Sequence, residues 1–160
     1  MPNAQPTIAI RPIAASDAEP VLALLDVALA GTPHLAPAQE AIALASGADD
    51  REYRALVALR EGQIRAVACY GDLLGSDKVI ELHLMALASP EEQDVARELL
   101  GAVDDASRAS GARFVFTELP DDGTLDAAYA ALRNAGYREE TRIADYVRDG
   151  VALVFLRRTL

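Results

Sequence analysis

Apolar positions in the first part of the chain predict one strand followed by two helices. Residues 7–13 (TIAIRPI) alternate apolar and polar side chains, as a half-buried strand does, and Pro12 is suited to a strand end or a sheet edge. Ser16 and Glu19 form a capping-box pattern before a helix that Gly31 would close. A broad stripe marks the buried face of this helix: Val21, Leu22, Leu24, Leu25, Ala28 and Leu29. A loop over residues 32–37 and a short helix over residues 38–46 follow.

The middle of the chain predicts an antiparallel meander and then a parallel crossover. Residues 53–60 and 64–70 are apolar runs on either side of a turn that contains Gly62, which is a hairpin pattern, and residues 78–87 form a third run. Residues 90–110 repeat apolar positions at helical spacing, and residues 113–119 return to strand character. A strand, a helix and a strand in this order predict a right-handed parallel crossover, so we expect a mixed sheet.

The end of the chain predicts one more helix and a closing hairpin. The helix is ended by Gly136 and has the apolar residues Leu125, Ala128, Tyr129, Ala131 and Leu132. Residues 137–143 and 151–158 are strands joined by a turn at Gly150. Because no repeat or long linker divides the sequence, we predict a single α/β domain over residues 1–160, with a central mixed sheet of about seven strands and about four flanking helices.

Charge narrows the classes of partner. The formal net charge is −10, and Lys78 is the only lysine. A nucleic-acid partner is not predicted, because phosphate backbones need clustered cations. A cationic acceptor, such as an amine or a basic peptide end, would be attracted. The alternative is that the acidity only keeps the surface soluble.

Compartment and metal binding are predicted from few residues. Cys69 is the only cysteine, so no internal disulfide can form. The first residues lack the basic and apolar regions of a signal peptide, and no apolar stretch approaches the ~20 residues that span a bilayer. We therefore predict a cytoplasmic protein without membrane contact. His34 and His83 are far apart and have no cysteine cluster near them, so no metal site is predicted.

The junction after residues 79–87 is the stretch most suggestive of binding. A strand that enters a helix through a short turn exposes helix N-terminal NH groups, which commonly bind anions. Ser89 and Glu92, however, form a capping-box pattern around Pro90, a residue favoured at the first helical position. Two possibilities remain open here: an anion site, or a helix that satisfies its own first turn.

The predicted order of elements resembles that of the GNAT superfamily of acyl-CoA-dependent N-acyltransferases over the whole chain. Residues 81–87 (ELHLMAL) are similar to the family's central strand. Residues 131–137 (ALRNAGY) resemble the helix end that the family closes with glycine and an aromatic residue. Residues 145–158 (DYVRDGVALVFLRR) resemble its last two strands. The resemblance implies a GNAT-like mixed sheet and the transfer of an acyl group to an amine.

The resemblance also implies acetyl-CoA as cosubstrate. In the family the central strand separates from the next parallel strand, and its exposed backbone binds the pantothenate arm, which implies Met85, Ala86 and Leu87. The pyrophosphate would lie on the turn into the crossover helix, which implies the run Glu92, Gln93, Asp94, Val95, Ala96 and Arg97. The sequence departs from the family's pattern in this turn.

The departure concerns charge and size. Counted back from Ala96, Asp94 stands where the family has glycine, and Glu91 stands where it has arginine or glutamine. Carboxylates in these places repel phosphate, whereas glycine would let the backbone approach it closely. Arg97, or Gln93 in the family's glutamine role, would compensate in part.

Acyl transfer to an amine needs a base for the ammonium proton and a proton donor for the leaving thiolate. Some family members have a catalytic glutamate on the central strand, which implies Glu81, and His83 would face the same way by alternation. Glu118 on the next strand is a weaker alternative. The family's usual tyrosine donor falls on Leu132, so Tyr129, one helical turn earlier, is the implied substitute. Solvent exposure of Glu81 and simple packing of His83 and Tyr129 are the competing explanations.

Three functional hypotheses follow. The first is an N-acetyltransferase that moves an acetyl group from acetyl-CoA to a primary amine of a small molecule or peptide with general-base assistance. The second is a GNAT-fold module that has lost acetyl-CoA binding and serves as a non-catalytic interaction subunit, for example as a homodimer. The third is a small mixed α/β domain of another superfamily, in which the two parallel strands would not separate.

Overall fold

The computed structural model describes residues 7–47 and 51–160, and its elements follow the predicted order. The strands are β1 (Ile8–Pro12), β2 (Arg54–Arg60), β3 (Gln63–Asp72), β4 (Val79–Leu87), β5 (Phe114–Pro120), β6 (Arg138–Arg148) and β7 (Val151–Thr159). The helices in these residues are α1 (Ala18–Ala28), α2 (Leu35–Gly47), α3 (Gln93–Ala109) and α4 (Asp126–Asn134).

The strands form one seven-stranded sheet in the order β1-β2-β3-β4-β5-β7-β6. β4 and β5 are parallel, and the other neighbouring strands are antiparallel. The crossover from β4 to β5 runs through α3, as the sequence predicted. A mixed sheet of this size with four helices confirms the predicted fold class.

Two hydrophobic cores lie on opposite faces of the sheet. One lies between the sheet and α3 and α4, and includes Leu99, Leu132 and Tyr137. The other lies under α1 and α2, and includes Leu25 and Cys69. Successive residues of β3 alternate between the two cores, as the period of a strand requires. In the described ranges, no helix has both the length and the hydropathy to cross a membrane.

The predicted capping box at the start of α1 is wrong. α1 begins at Ala18, after a single turn of 3-10 helix at residues 15–17, and the carboxylate that organises this turn is that of Asp17. Asp17 Oδ2 accepts from the Ala14 NH at 2.7 Å, and both its oxygens accept from Arg11 at 2.6 and 2.9 Å. A buried carboxylate with an arginine partner replaces the expected Ser16 and Glu19, and Arg11 lowers the pKa of Asp17.

The start of α3 differs from the prediction in the same way. Pro90 lies in a turn, and the helix begins at Gln93. Ser89 Oγ donates to the Glu91 carboxylate at 2.6 Å rather than capping the helix. The expected capping box of Ser89 and Glu92 does not form, because the Glu92 carboxylate is held by two arginines from the neighbouring hairpin.

Candidate active site

The parallel strands β4 and β5 pair at one end and separate at the other. Val79–Glu81 pair with Phe114–Phe116, and just beyond them Thr117 Oγ1 donates to the Leu82 carbonyl at 2.8 Å. Past this point a cavity of about 370 Å³ lies between the strands. The separation predicted for a GNAT-like sheet is therefore present at the predicted strands.

The separation leaves backbone groups of β4 facing the gap. The Ala88 NH donates to the Arg65 carbonyl on β3 at 2.8 Å, so alternation turns the backbone of Ala86 toward β3 as well. The NH and C=O groups of Met85 and Leu87 therefore point toward β5, which has diverged. Unpaired backbone groups in the middle of a sheet are suited to pair with an extended ligand, as an added strand would.

This cavity of about 370 Å³ passes through the gap from one face of the sheet to the other. Its walls come from β4 (Leu82 to Met85), from β5 (Thr117 to Pro120), from α2 on one face and from α4 on the other. Glu40, His83 and Glu118 contribute ionisable groups to the wall, together with His34 from the loop before α2. Two of the three predicted base candidates, His83 and Glu118, thus line one cavity.

His83 is held by three neighbours. Its Nε2 lies 2.8 Å from the Glu52 carbonyl oxygen, its Nδ1 lies 3.6 Å from the Glu81 carboxylate, and its ring stacks on Tyr53 with the centroids 4.7 Å apart. A carbonyl can only accept, so Nε2 carries the hydrogen and Nδ1 is the nitrogen that gains or loses a proton. The distance from Nδ1 to Glu81 is that of an ion pair rather than of a hydrogen bond.

The charge of Glu81 affects both groups that line the cavity. Burial alone lowers the pKa of His83, but Glu81 and the Glu52 carbonyl outweigh it, so the pKa is raised above its ordinary value. Partial burial raises the pKa of Glu118, and the negative charge of Glu81 raises it further. Glu81 itself lies outside the described lining of the cavity. Its position supports a role through His83 rather than direct contact with a ligand.

A glycine permits the approach of the segment that holds His83. A Cβ atom at Gly71 would lie 1.8 Å from the Glu52 carbonyl oxygen, so any other residue would push residues 52 and 53 away from β3. The predicted strand over residues 64–70 stops before Gly71, whereas β3 continues through it to Asp72. The contacts of Glu52 and Tyr53 with His83 were not predicted, because they join segments that are distant in the sequence.

A second cavity of about 220 Å³ adjoins the first and is lined by Met85, Ala86 and Leu87, the residues predicted to bind the pantothenate arm. Its other walls are the end of α1, the residues from Ala88 to Pro90 and the start of α4. Ala128 lines both cavities. Together the cavities lead from the junction before α3 to His83.

Tyr129 is not among the described residues that line these cavities. It packs against the core between the sheet and the helices α3 and α4. Leu132, which stands where the resemblance expects a tyrosine, does line the larger cavity. The structure thus brings His83 and Glu81 together and leaves Tyr129 apart from them.

The turn before α3, where the resemblance implies pyrophosphate binding, is closed by ion pairs. Arg60 Nη1 donates to Glu92 at 2.9 Å, Arg60 Nη2 donates to Asp94 at 2.5 Å, and Arg65 Nε donates to Glu92 at 2.7 Å. We call Arg60, Arg65, Glu92 and Asp94 the turn cluster. Its two positive and two negative charges sum to zero, and Arg60 holds the pKa of Asp94 below its usual range.

The other predicted phosphate residues are also engaged or turned away. Gln93 Nε2 donates to the carbonyls of Pro90 and Ala127, and Val95 and Ala96 are fully buried. Arg97 is exposed and lies 3.6 Å from Glu98. A phosphate placed ~4 Å from a carboxylate at the protein surface is repelled by ~4 kcal/mol per unit charge. The pyrophosphate of CoA therefore does not fit the residues of this turn, although the gap beyond it suits the pantothenate arm.

Comparison with solved structures finds the same architecture in GNAT acetyltransferases. A GNAT-family protein from Desulfovibrio desulfuricans has a TM-score of 0.81 at 21% identity, over 96% of this chain and 99% of the other. The ribosomal-protein-alanine N-acetyltransferase of Brucella melitensis has a TM-score of 0.74 at 21% identity, over 95% and 99%. A protein from Salmonella typhimurium, solved with acetyl-CoA, has a TM-score of 0.70 at 16% identity, over 96% and 94%. No family model and no curated protein matches the sequence.

Proposed function

We propose that this chain, which has the fold of the GNAT acetyltransferases, is an N-acetyltransferase that transfers an acetyl group from acetyl-CoA to a primary amine of a small molecule or peptide. The observation that carries the proposal is the pair of adjoining cavities beside the separated strands, one lined by His83 and Met85 and the other by Met85 and Leu87. The part of the larger cavity that lies on the α2 side of the sheet is the acceptor site in this proposal.

The chemistry of the cavity wall suits an ammonium acceptor. Glu40 and Glu118 line it, and no lysine or arginine is among its described lining residues. A cationic amine is attracted to such a wall, and the overall charge of −10 adds to the attraction. The chain is expected to hold the amine near His83 and Glu118 before a proton is removed.

The proton transfer is assigned to His83, with Glu81 as a positioning residue. An ammonium group must lose a proton before it can attack, and a base whose pKa is near the working pH does this best. The pKa of His83 is raised above its ordinary value, and its Nδ1, 3.6 Å from the Glu81 carboxylate, is the nitrogen that takes up the proton. A bound acetyl thioester would supply the electrophilic carbonyl, and the second proton that the nitrogen loses as the amide forms would go to the leaving thiolate. Tyr129 packs against the core and does not line either cavity, so it has no part in this step.

The proposal is tested by ligand-induced stabilisation and by turnover. Millimolar acetyl-CoA is expected to raise the melting temperature, and thiol release with a panel of primary amines should identify an acceptor. His83→Gln should reduce kcat by ~10²-fold, the scale of general-base assistance, and Glu81→Gln, which removes only the positioning charge, should reduce kcat by less. The matched control, Glu98→Gln on the exposed side of α3, should retain activity. No thermal shift with acetyl-CoA would refute the proposal.

A second candidate function is favoured by the turn cluster. Ion pairs that neutralise the predicted pyrophosphate site are compatible with a GNAT-fold module that has lost acetyl-CoA and acts as a non-catalytic interaction subunit. Isothermal titration separates the two. Sub-millimolar binding of acetyl-CoA or CoA excludes the non-catalytic module, and absence of binding together with a specific protein complex in solution supports it.

A further inference from the structure

We infer that this protein recognises its donor through the acylated pantetheine arm alone, without a contribution from the nucleotide and its phosphates. The inference rests on the proposed function and concerns what the donor site can distinguish. It assigns acyl-pantetheine thioesters as a donor class that is used as well as acetyl-CoA.

The first argument is the charge balance of the turn cluster. Both guanidinium groups that approach the start of α3 already donate to carboxylates, Arg60 to Glu92 and Asp94, and Arg65 to Glu92. A pyrophosphate would have to displace these carboxylates to reach the arginines. The cluster is neutral as a whole, so it offers no net attraction to a dianion.

The second argument is the space that the carboxylates occupy. Glu92 is 6% exposed, and its side chain fills the volume between the β2–β3 hairpin and the helix start. Asp94 Oδ1 accepts from the Val95 NH at 2.9 Å, which uses one of the amide groups that an anion would need. A carboxylate of the same chain thus occupies the helix terminus, where an external phosphate would otherwise bind.

The third argument is that a binding site for the pantetheine arm is present. The cavity beside Met85, Ala86 and Leu87 is walled mainly by apolar side chains from α1 and α4, and it continues toward His83. The amide groups of a pantetheine arm can pair with the backbone of Met85 and Leu87 without any phosphate contact. The pantetheine half of the donor should therefore provide its binding affinity.

The test compares ligands on the unaltered protein by isothermal titration. CoA and pantetheine are expected to bind with dissociation constants within about threefold of each other, and adenosine 3′,5′-bisphosphate is expected not to compete with pantetheine. CoA binding at least ~10-fold tighter than pantetheine would overturn the inference while leaving the proposed function intact. Failure of both CoA and pantetheine to bind would overturn both.

A variant provides the converse test. Glu92→Gln combined with Asp94→Asn frees Arg60 and Arg65, so CoA should gain at least ~10-fold in affinity while pantetheine binding stays unchanged. Asp105→Asn is the matched control, because it removes an exposed carboxylate of α3 that pairs with Arg108 and lies outside the turn cluster. An unchanged preference in a folded double variant contradicts the inference. If circular dichroism shows that variant unfolded, the comparison of ligands on the unaltered protein decides alone.

Discussion

The turn cluster makes a strong prediction about stability. Glu92 is a buried carboxylate whose two oxygens each face a different arginine, Arg60 through Oε2 and Arg65 through Oε1. Glu92→Gln keeps the shape of the side chain and removes its charge. Both guanidinium groups then lose a charged partner in a place where the helix start and the β2–β3 hairpin meet.

The size of the effect follows from the geometry. Two unit charges ~4 Å apart in a partly buried site interact by ~4 kcal/mol at an effective dielectric constant of ~20. Arg65 is 31% exposed and can turn partly toward water, and Arg60 retains Asp94, so the full Coulomb term is not lost. Breaking a buried pair from one side costs ~3–5 kcal/mol, and the partial exposure of the arginines reduces this to ~2–4 kcal/mol for Glu92→Gln.

Equilibrium unfolding in urea measures this loss as a shift of the midpoint at constant slope. The matched control, Glu91→Gln, changes an exposed carboxylate of the same turn that contacts Ser89 rather than an arginine, and it should shift the midpoint far less. A midpoint shift for Glu92→Gln no larger than that of the control would refute the reasoning. A changed slope would instead report a change in the unfolded or native ensemble.

Three further predictions concern the cavities and the buried polar groups. Ala128→Phe fills the place where the cavities meet and should weaken acetyl-CoA binding at least ~10-fold. Ala130→Phe, on the exposed side of α4, should leave binding unchanged. Equal binding by both variants would contradict the assigned donor site. Glu81→Gln should lower the pKa of His83 in an NMR titration, and an unchanged value would contradict their coupling. Because the folded pKa is raised, protonated His83 stabilises the fold fully below the unfolded pKa of ~6.5, and this stability is lost as the pH rises through the folded value. Tyr137→Phe should raise stability by ~1 kcal/mol in thermal unfolding, because the buried hydroxyl has no hydrogen-bond partner in the described chain; a loss of stability would contradict this.

The order and type of the elements could be predicted because they depend on local periodicity. The stripes of the long helix α3 and the alternation in β3 are each set by residues within a few positions of one another. Element ends were predicted less well where a distant partner decides them. α2 begins at Leu35, so that Pro37 lies in its first turn, and β6 continues to Arg148 because β7 pairs with it.

The candidate site shows the same division. Glu81, His83 and Met85 could be placed on one strand from the sequence, and the gap beside them followed from the resemblance. The contact of Glu52 with His83 and the pairing of Glu92 with Arg60 and Arg65 join residues 27 or more positions apart. A helix-capping pattern was the local interpretation of Glu92, and a tertiary ion pair outcompeted it.

The short pairing between β4 and β5 has a consequence for hydrogen exchange. The sheet consists of two ladders, one through β1 to β4 and one through β5, β7 and β6, which share three parallel residue pairs at one end. Within β4, the Ala86 amide is bonded to β3 while those of Met85 and Leu87 face the gap. Deuterium should therefore exchange faster at alternate amides of β4. A ligand bound in the gap should protect the Met85 and Leu87 amides, so that the alternation disappears without any change in the fold.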